Sequence, residues 1–591
     1  MAFLVASFGP VGGARWDALV RELADFPPEN VWTTRDPGEP VRIGVVGAGG
    51  SVQSVHDYGA DLAVAGEGAL EGGEQDVARV VLAAYRARGP SGLARLRGEH
   101  AFAVWDGRSR SLLVGCGGVG FRAPAYLRDG DAFILSSRAL ALLRGSNTRA
   151  ELNRVYLAHA LGGIWCPPAD ATPFAGVRRM KGGELLRVSG DGIEWLEGDR
   201  LRFDVTAAGD RRAVTVELET RLDRATGAMA VDSGSCVLLS GGLDSAVVAA
   251  LVARRRPSVD AYSLVAPVGS SGSDGAAAAV AAALPGVRHH RLEVAGDTFG
   301  AIAPLPDDPM CSGPVLEVGR LALLRAASAA GFRRVFNGEG GDELFDLAWW
   351  SRDLIHEGAA LKALARVARR ASLVRIVNEL AMGGSLGAIG DARMRELGGR
   401  LRRRRPWLRE AFWEGRAFAG AMAQARSYWK LRSIRERLPD ILGSHGRTWR
   451  AHELTRLPLG IEAVSPLMDR GVVEFVGSLR ADTVIDPRHG KALLRRLAER
   501  LMPAAIAWRP KKEPLSEWLA ERFISSDAHV SAALALLRES PLLRELVDPL
   551  AVRAAVDQAR REPRPRALVQ ALVELFTLAE WIATVQAGYC V

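Results

Sequence analysis

Two short stretches carry residue types that could handle a polyphosphate. The first is Leu239-Ser240-Gly241-Gly242-Leu243-Asp244-Ser245, which follows the apolar run Cys236-Val-Leu-Leu239 and opens into the helix-favouring stretch Ala246–Arg256. A strand ends, two glycines let backbone N–H groups approach an anion, and a helix N-terminus points at the same spot. That combination is a phosphate cradle. It is not a Walker A loop, because the Gly-Lys-Ser/Thr ending is missing. The second stretch, Phe336-Asn-Gly-Glu-Gly-Gly-Asp-Glu-Leu-Phe345, also follows a strand-like piece, Arg333–Phe336, and carries adjacent acids at Asp342 and Glu343.

Ser-Gly-Gly-x-Asp-Ser resembles the pyrophosphate loop of ATP-pyrophosphatases, which split ATP between its α- and β-phosphates. That group includes the synthetases of asparagine, GMP, NAD and argininosuccinate. Gly338–Phe345 is similar to the Gly-Glu-Gly-Ser-Asp-Glu-Leu-Phe segment of asparagine synthetases and selects that branch. The resemblance implies ATP and Mg²⁺ as cofactors. It puts Leu239, Ser240, Gly241, Gly242, Asp244, Ser245, Gly338 and Gly340 at ATP, and Asp244 and Asp342 on the metal. Pyrophosphate leaves with several negative charges, and hard oxygen ligands must fix the cation that neutralises them. Gly490-Lys-Ala-Leu-Leu-Arg495 and Trp508-Arg-Pro-Lys-Lys512 resemble the family's C-terminal Lys-x-x-Leu-Arg and Arg-Pro-Lys elements. By that resemblance Lys491 and Lys511 are catalytic candidates that stabilise charge developing in the transition state; read singly, each is a surface lysine. Ile461-Glu-Ala-Val-Ser-Pro-Leu-Met-Asp469 resembles the family's Glu-x-Arg-x-Pro-Phe-Leu-Asp, with Val464 at the Arg position. That departure counts against the acidic small-molecule pocket of a true asparagine synthetase.

The resemblance extends into the first half of the chain. Leu96–Asp106 and Ser136–Leu143 match the strand pair and the ending of the family's glutaminase domain. Glutaminase domains of this type attack glutamine with an N-terminal cysteine. Here residue 2 is Ala, and the nearest cysteine is Cys116. The Asn-Gly-Glu loop that holds glutamine is also absent between Val45 and Leu62. The expectation is a degenerate domain that serves as a structural platform and releases no ammonia.

An amine carried by the substrate itself then becomes the acceptor, and ring closure replaces a bimolecular encounter. Two groups of the superfamily share the lost cysteine: the β-lactam and carbapenam synthetases, and the lasso-peptide cyclases. The β-lactam formers place Tyr where this chain has Glu339. A carboxylate there could take a proton from the attacking amine, so Glu339 is a third catalytic candidate. The resemblance thus favours a lasso-peptide cyclase, which joins a peptide's N-terminal amine to an Asp or Glu side chain. Its partners would be a precursor peptide and, by family, a leader-binding protein and a leader peptidase. An ammonia-dependent asparagine synthetase, a β-lactam-type synthetase and an inactive peptide-binding scaffold stand as alternatives.

The elements that must position these residues follow from pattern. Through about residue 200, runs such as Phe102–Trp105, Ser111–Gly115 and Ala132–Leu135 lie between Gly, Asp and Arg turns, as strands do. A helix is expected over Gln75–Arg88, and 196–210 reads as a linker. From Arg211, strand-like Cys236–Leu239, Asp260–Val265, Arg288–Val294 and Arg333–Phe336 alternate with Ala-rich helices, which argues for a parallel sheet with ligands at its carboxyl ends. Beyond Leu347 the pattern is almost wholly helical. The expected fold class is an α+β N-terminal Ntn-type sandwich over 1–200. An α/β ATP-pyrophosphatase domain with a parallel sheet and a helical C-terminal part follows over 211–591.

Bulk properties set bounds on this reading. The chain has 591 residues, with 48% hydrophobic and 25% charged, ordinary values for a globular enzyme. Cys116, Cys166, Cys236, Cys311 and Cys590 show no metal-ligand spacing and no disulfide-like density, which suits a reducing, cytoplasmic setting. No uncharged run of 18 apolar residues occurs, so no membrane span is expected. The net charge is +9. Residues 361–410 hold 13 Lys or Arg against 4 Asp or Glu, so that segment alone accounts for the excess. It reads as a solvated helix face or a docking surface for an acidic peptide or a partner; without interleaved aromatics, nucleic acid is not expected.

Overall fold

The computed structural model describes residues 2–24, 30–33, 41–47, 53–70, 76–145, 151–164, 167–204, 210–229, 231–265, 273–293, 307–309, 314–346, 350, 353, 357, 387–430, 433–443, 459–485, 489–509, 515–561 and 566–588.

Among the described residues, twelve strands make the first architecture. They are β1 (Ala2–Phe8), β2 (Asn30–Thr33), β3 (Val41–Gly47), β4 (Gln53–Asp57), β5 (Leu62–Leu70), β6 (Gly98–Asp106), β7 (Ser111–Cys116), β8 (Ala125–Asp129), β9 (Ala132–Ser136), β10 (Arg178–Arg179), β11 (Leu185–Ser189) and β12 (Gly192–Leu196). They form two antiparallel six-stranded sheets, in the orders β10-β8-β9-β1-β3-β2 and β12-β11-β7-β6-β5-β4. β1 reads Ala-Phe-Leu-Val-Ala-Ser-Phe, apolar on both faces. Leu4 and Ala6 turn into the space between the sheets, where they meet Ala63, Ala65, Ala101 and Ala103. Phe3 and Val5 turn outward against Trp16 of α1 (Gly13–Ala24) and against helices from the far end of the chain. The outer face of the second sheet is covered by α2 (Val77–Arg88), which buries Val77, Ala78 and Val81. Asp76 caps α2 by accepting from the Arg79 N–H, so the helix starts two residues later than its pattern suggested.

The second architecture is a parallel sheet of β13 (Ser235–Leu238), β14 (Val259–Val265), β15 (Val287–Glu293), β16 (Arg334–Phe336) and β17 (Glu462–Val464), ordered β15-β14-β13-β16-β17. The chain moves outward from β13 to β15, then returns to the other side of β13 to lay down β16. β13 and β16 therefore flank the point where the winding reverses, and the crevice at their carboxyl ends is where such sheets bind ligands. One face packs on α3 (Arg211–Ala228) and α4 (Leu243–Ala253), and the other on α5 (Pro314–Ala329) through Cys236, Tyr262, Val335, Leu323 and Leu324. Burial on both faces explains why β13 and β14 read as apolar runs, whereas the edge strand β15, Val-Arg-His-His-Arg-Leu-Glu, is partly exposed and polar.

Among the described residues the chain beyond Leu347 is almost wholly helical, with one exception: Glu462–Val464 pairs with β16 in register, Val464 opposite Phe336. Three residues are too few to show a period. The described part of the linker stretch, 196–204, packs on the synthetase domain. Arg202 N–H donates to Glu474 at 3.0 Å, and Phe203 packs on Gly477 so closely that a Cβ there would lie 2.5 Å from its ring.

The C-terminal helices close back on the N-terminal sheet. Leu519, Val530, Phe576 and Trp581 share one core with Phe3, Val5 and Ile134. Among the described residues one helical stretch, Ala567–Gly588, is long and apolar enough to cross a membrane, and 67% of its apolar window is buried in this core. Of the Arg-rich segment, 361–386 lies outside the described residues, while Gly387–Arg404 is helical. Arg405 does not belong to a solvated face: it is buried and donates to Glu574 at 2.8 Å.

Candidate active site

The first loop leaves β13 and enters α4 directly. Gly241 sits at φ +73°, and a Cβ there would lie 2.6 Å from the Ala277 nitrogen. Only glycine fits both conditions. Gly242 precedes the helix without capping it through a side chain, so the first-turn N–H groups face the crevice. The serines brace the turn: Ser240 N–H donates to Ser245 Oγ at 3.2 Å, the two hydroxyls are 3.0 Å apart, and Ser245 Oγ donates to Gly242 O at 3.1 Å. Leu239 is buried beneath, and its carbonyl accepts from the Ser263 hydroxyl of β14.

The second loop lies on the first. A Cβ at Gly338 would stand 2.5 Å from the Ser245 nitrogen, and one at Gly341 2.2 Å from Asp244 Cγ. Gly340 adopts φ +94°, with Met468 Sδ 2.4 Å from where a Cβ would be. Gly338 and Gly341 are thus dictated by contact with the first loop, and Gly340 by its φ and by Met468.

Lys491 joins the two. Its Nζ is 2.5 Å from Asp244 Oδ2 and 2.6 Å from Asp342 Oδ1. Burial opposes the charged ammonium, but Asp244 and Asp342 outweigh it and hold the lysine above its usual range. Burial also pushes the Asp244 carboxyl up, against the pull of Lys491. Lys491 adopts φ +57°, ψ +40° at the start of a helix, α6 (Ala492–Leu501), a conformation L residues avoid. Arg495 restrains it: its Nε donates to Gly490 O at 2.9 Å, and its Nη1 to Ala507 O and Arg509 O at 2.7 and 3.0 Å. Arg509 in turn donates to the carbonyl of Gly241.

Glu339 sits on the other flank. Its N–H donates to Asn337 Oδ1 at 3.1 Å, its carbonyl accepts from Ser465 Oγ at 2.5 Å, and its carboxylate is 2.6 Å from Arg320 Nη1 of α5. The structure therefore brings Leu239, Ser240, Gly241, Gly242, Asp244, Ser245, Gly338, Glu339, Gly340, Asp342 and Lys491 into one crevice. Lys511 lies outside the described residues. Arg320 carried no local signal of a role here, being one of two arginines in a Leu- and Ala-rich helix, while Arg509 stands in the Arg-Pro-Lys element, whose signal was read for Lys511 alone.

Can this crevice hold a divalent cation? Asp244 Oδ1 is buried and has no hydrogen-bond partner, while Asp342 is 74% exposed beside it. Two hard carboxylates opening on a phosphate cradle suit Mg²⁺, which takes few protein ligands and completes its shell with phosphate and water. The described residues hold no cluster of three or more metal-ligating side chains, so the phosphates would have to supply part of the shell.

Fold and site define an ATP-using ligase that forms amide bonds. Residues 217–583 match the model of the asparagine synthase family, and 72–197 that of the glutamine amidotransferase domain. The chain belongs to the asparagine synthase family, with a glutamine amidotransferase-like domain ahead of its synthetase domain. It is 26% identical over 524 residues to a Mycobacterium tuberculosis protein named "Putative asparagine synthetase (glutamine-hydrolyzing)", covering 81% of this chain and 76% of that one. It is 29% identical over 166 residues to "Asparagine synthetase (glutamine-hydrolyzing) 3" of Bacillus subtilis, covering 27% and 26%. It is also 25% identical over 307 residues to "Amidase chry2" of Gibberella zeae, covering 45% and 42%.

Proposed function

We propose that this ligase closes a peptide into a macrolactam, as lasso-peptide cyclases do. The observation that carries the reading is the state of the amidotransferase-like domain. β1 contains no cysteine, and Cys116 is buried, donates its thiol to Lys181 O at 3.2 Å, and has its ionisation pushed up by burial. A thiol so held is no nucleophile. With no glutamine-derived ammonia, the amine is carried by the substrate.

In this reading ATP lies along the Ser240–Ser245 loop, held by Gly241, Gly242, Gly338 and Gly340. A side-chain carboxylate of Asp or Glu attacks the α-phosphorus. The bond from that phosphorus to the bridging oxygen breaks, and pyrophosphate leaves. The peptide's N-terminal amine then attacks the acyl carbon, loses a proton, and displaces AMP. Lys491 stabilises charge on the phosphates and on the tetrahedral centre, and Lys511 shares that role by its motif. Glu339, oriented by Arg320, receives the amine proton. Asp244 and Asp342 would hold Mg²⁺, which when bound neutralises the leaving pyrophosphate. Holding amine and acyl carbon in one molecule supplies the proximity that free ammonia lacks.

The test is incubation of the full chain with Mg·ATP and a panel of linear peptides bearing a free N-terminal amine and an internal Asp or Glu. The expected result is a product lighter by one water, resistant to aminopeptidase, with one AMP and one pyrophosphate per ring. Robust asparagine formation from aspartate and ammonium would sink the peptide reading. Silence from every carboxylate tried, with Mg·ATP still bound, would favour a peptide-binding scaffold.

A further inference from the structure

The amidotransferase-like domain is tied to the synthetase domain through a buried arginine. Arg470 opens α7 (Arg470–Ser478), immediately after the Ile461–Asp469 motif, and lies buried in the seam between the two domains. Its Nη1 donates to Asp199 O at 3.0 Å and pairs with the Asp199 carboxylate. Its Nη2 donates to Arg200 O at 3.0 Å and to Glu474 Oε1 at 2.8 Å, and its Nε to Glu474 Oε1 at 3.1 Å. Those contacts match the number of guanidinium N–H donors. Three of them reach the segment that follows β12.

The N-terminal domain grips the same guanidinium a second time. A Cβ at Gly118 would lie 2.5 Å from Arg470 Nη1. The loop that holds Gly118 is fixed by Glu99, whose buried carboxylate accepts from Val119 N–H at 3.2 Å and Phe121 N–H at 2.9 Å. Val119 and Phe121 then enter the synthetase core, in one cluster with Leu467, Met468 and Val472. From there the path to the nucleotide site is short. Met468 presses on Gly340, and Ser465 donates to the Glu339 carbonyl.

We propose that the N-terminal domain positions the second nucleotide loop, and that Arg470 is the positioning residue through which it acts. Asp199, Arg200 and the Gly118 loop set where Arg470 sits. Arg470 sets the start of α7, and the turn before it sets the Gly338–Glu343 loop. The proposal rests on the family's use of ATP at this crevice and is independent of the peptide-cyclising reading. Its test therefore uses no peptide.

Mg·ATP is titrated into the full chain and three variants, Arg470→Met, Arg470→Lys and Gly118→Ala, well below their melting temperatures. Coupling carried through packed side chains changes affinity by about 2- to 30-fold. Gly118→Ala and Arg470→Met are expected to weaken Mg·ATP binding by that factor, and Arg470→Lys to recover part of the loss. Tyr85→Phe removes a 2.7 Å hydrogen bond to Asp106 elsewhere in the same domain and is expected to leave the affinity as it is. A merely structural Arg470 would lower the melting temperature without moving the affinity. If Arg470→Met does not fold, Gly118→Ala decides, since it changes only the N-terminal loop. Wild-type affinity in folded Gly118→Ala and Arg470→Lys would overturn the proposal.

Discussion

The antiparallel sandwich and the parallel sheet both bury ionisable groups, yet they use them in opposite ways. In the sandwich, burial pushes the Glu99 carboxyl up to about 7 and the His100 imidazole down to about 4. Each is locked into its own strand or loop, and neither faces a cleft in company with a nucleophile. In the parallel sheet, Asp244, Asp342 and Lys491 come from three separate segments and meet within 2.6 Å at the strand ends. A shifted pKa alone therefore does not mark an active site. What marks it is convergence of side chains from distant segments on one accessible point. Antiparallel hairpins scatter their turns to both ends of a sheet, whereas parallel strands deliver all their carboxyl ends to one side.

The hardest way to break this contrast is at Lys491. Lys491→Met removes the cation from between two carboxylates, and pyrophosphate release with any carboxylate that supports turnover should fall about 10²–10³-fold, the scale for losing a preorganised charge. Cys116→Ala, its counterpart in the sandwich, should leave turnover unchanged. If Cys116→Ala abolished turnover instead, the sandwich would hold chemistry after all, and the platform reading would fail.

Gly341→Ala probes the contact between the two loops. The added methyl would lie 2.2 Å from Asp244 Cγ, so one loop must shift. A displacement on the order of 1 Å is expected to slow turnover about 10²-fold, with Mg·ATP affinity reduced alongside. Wild-type rates in this variant would mean that the loops need not touch.

How much of this was legible beforehand also differs between the two regions. The phosphate loop was readable because its chemistry is local: strand, glycines and helix start are adjacent, and only a few residue types satisfy them. Phe102–Trp105, Ser111–Gly115 and Ala132–Leu135 were readable as strands from their apolar runs, whereas β1, apolar on both faces, drew no reading. What covers it was not readable, since the partners lie more than 500 residues away, at Leu519–Trp581. The arginines were the main blind spot. Arg320, Arg405, Arg470 and Arg509 look alike in the sequence as surface cations, and only tertiary packing separates those with buried partners from those in water. β17 was missed because strand pairing, not composition, makes its three residues a strand.

The buried carboxylate of the sandwich offers a pH test. Glu99 is raised from 4.5 to about 7, chiefly by burial, with the Val119 and Phe121 N–H groups, Arg122 and Arg470 opposing. The folded state then binds the proton more tightly than the unfolded chain. The stability this brings is fully present below about pH 4.5 and is lost as pH rises through about 7. Glu99→Gln should flatten that dependence and raise stability at pH 8 by at most about 3 kcal/mol. Melting temperatures from pH 5 to pH 8 would show it. A wild-type protein whose stability rises across that interval, with the slope unchanged in Glu99→Gln, would mean that Glu99 stays charged in its loop.

The smallest expected effect separates buried charge from surface charge within one run of arginines. Arg402 pairs with Glu410, both about half exposed, while Arg405 is 8% exposed against Glu574. An exposed pair loses in side-chain entropy and screening most of what it gains in attraction. Arg402→Ala should therefore change stability by no more than about 0.5 kcal/mol. Arg405→Ala removes the buried partner of the Glu574 carboxylate, which keeps its bond from Gln570, and empties the space beside Gly163, so it should cost several times more. Chemical denaturation of the two variants side by side makes the measurement. Equal losses would show that the Arg-rich run acts as one electrostatic surface, with burial at Arg405 adding nothing of its own.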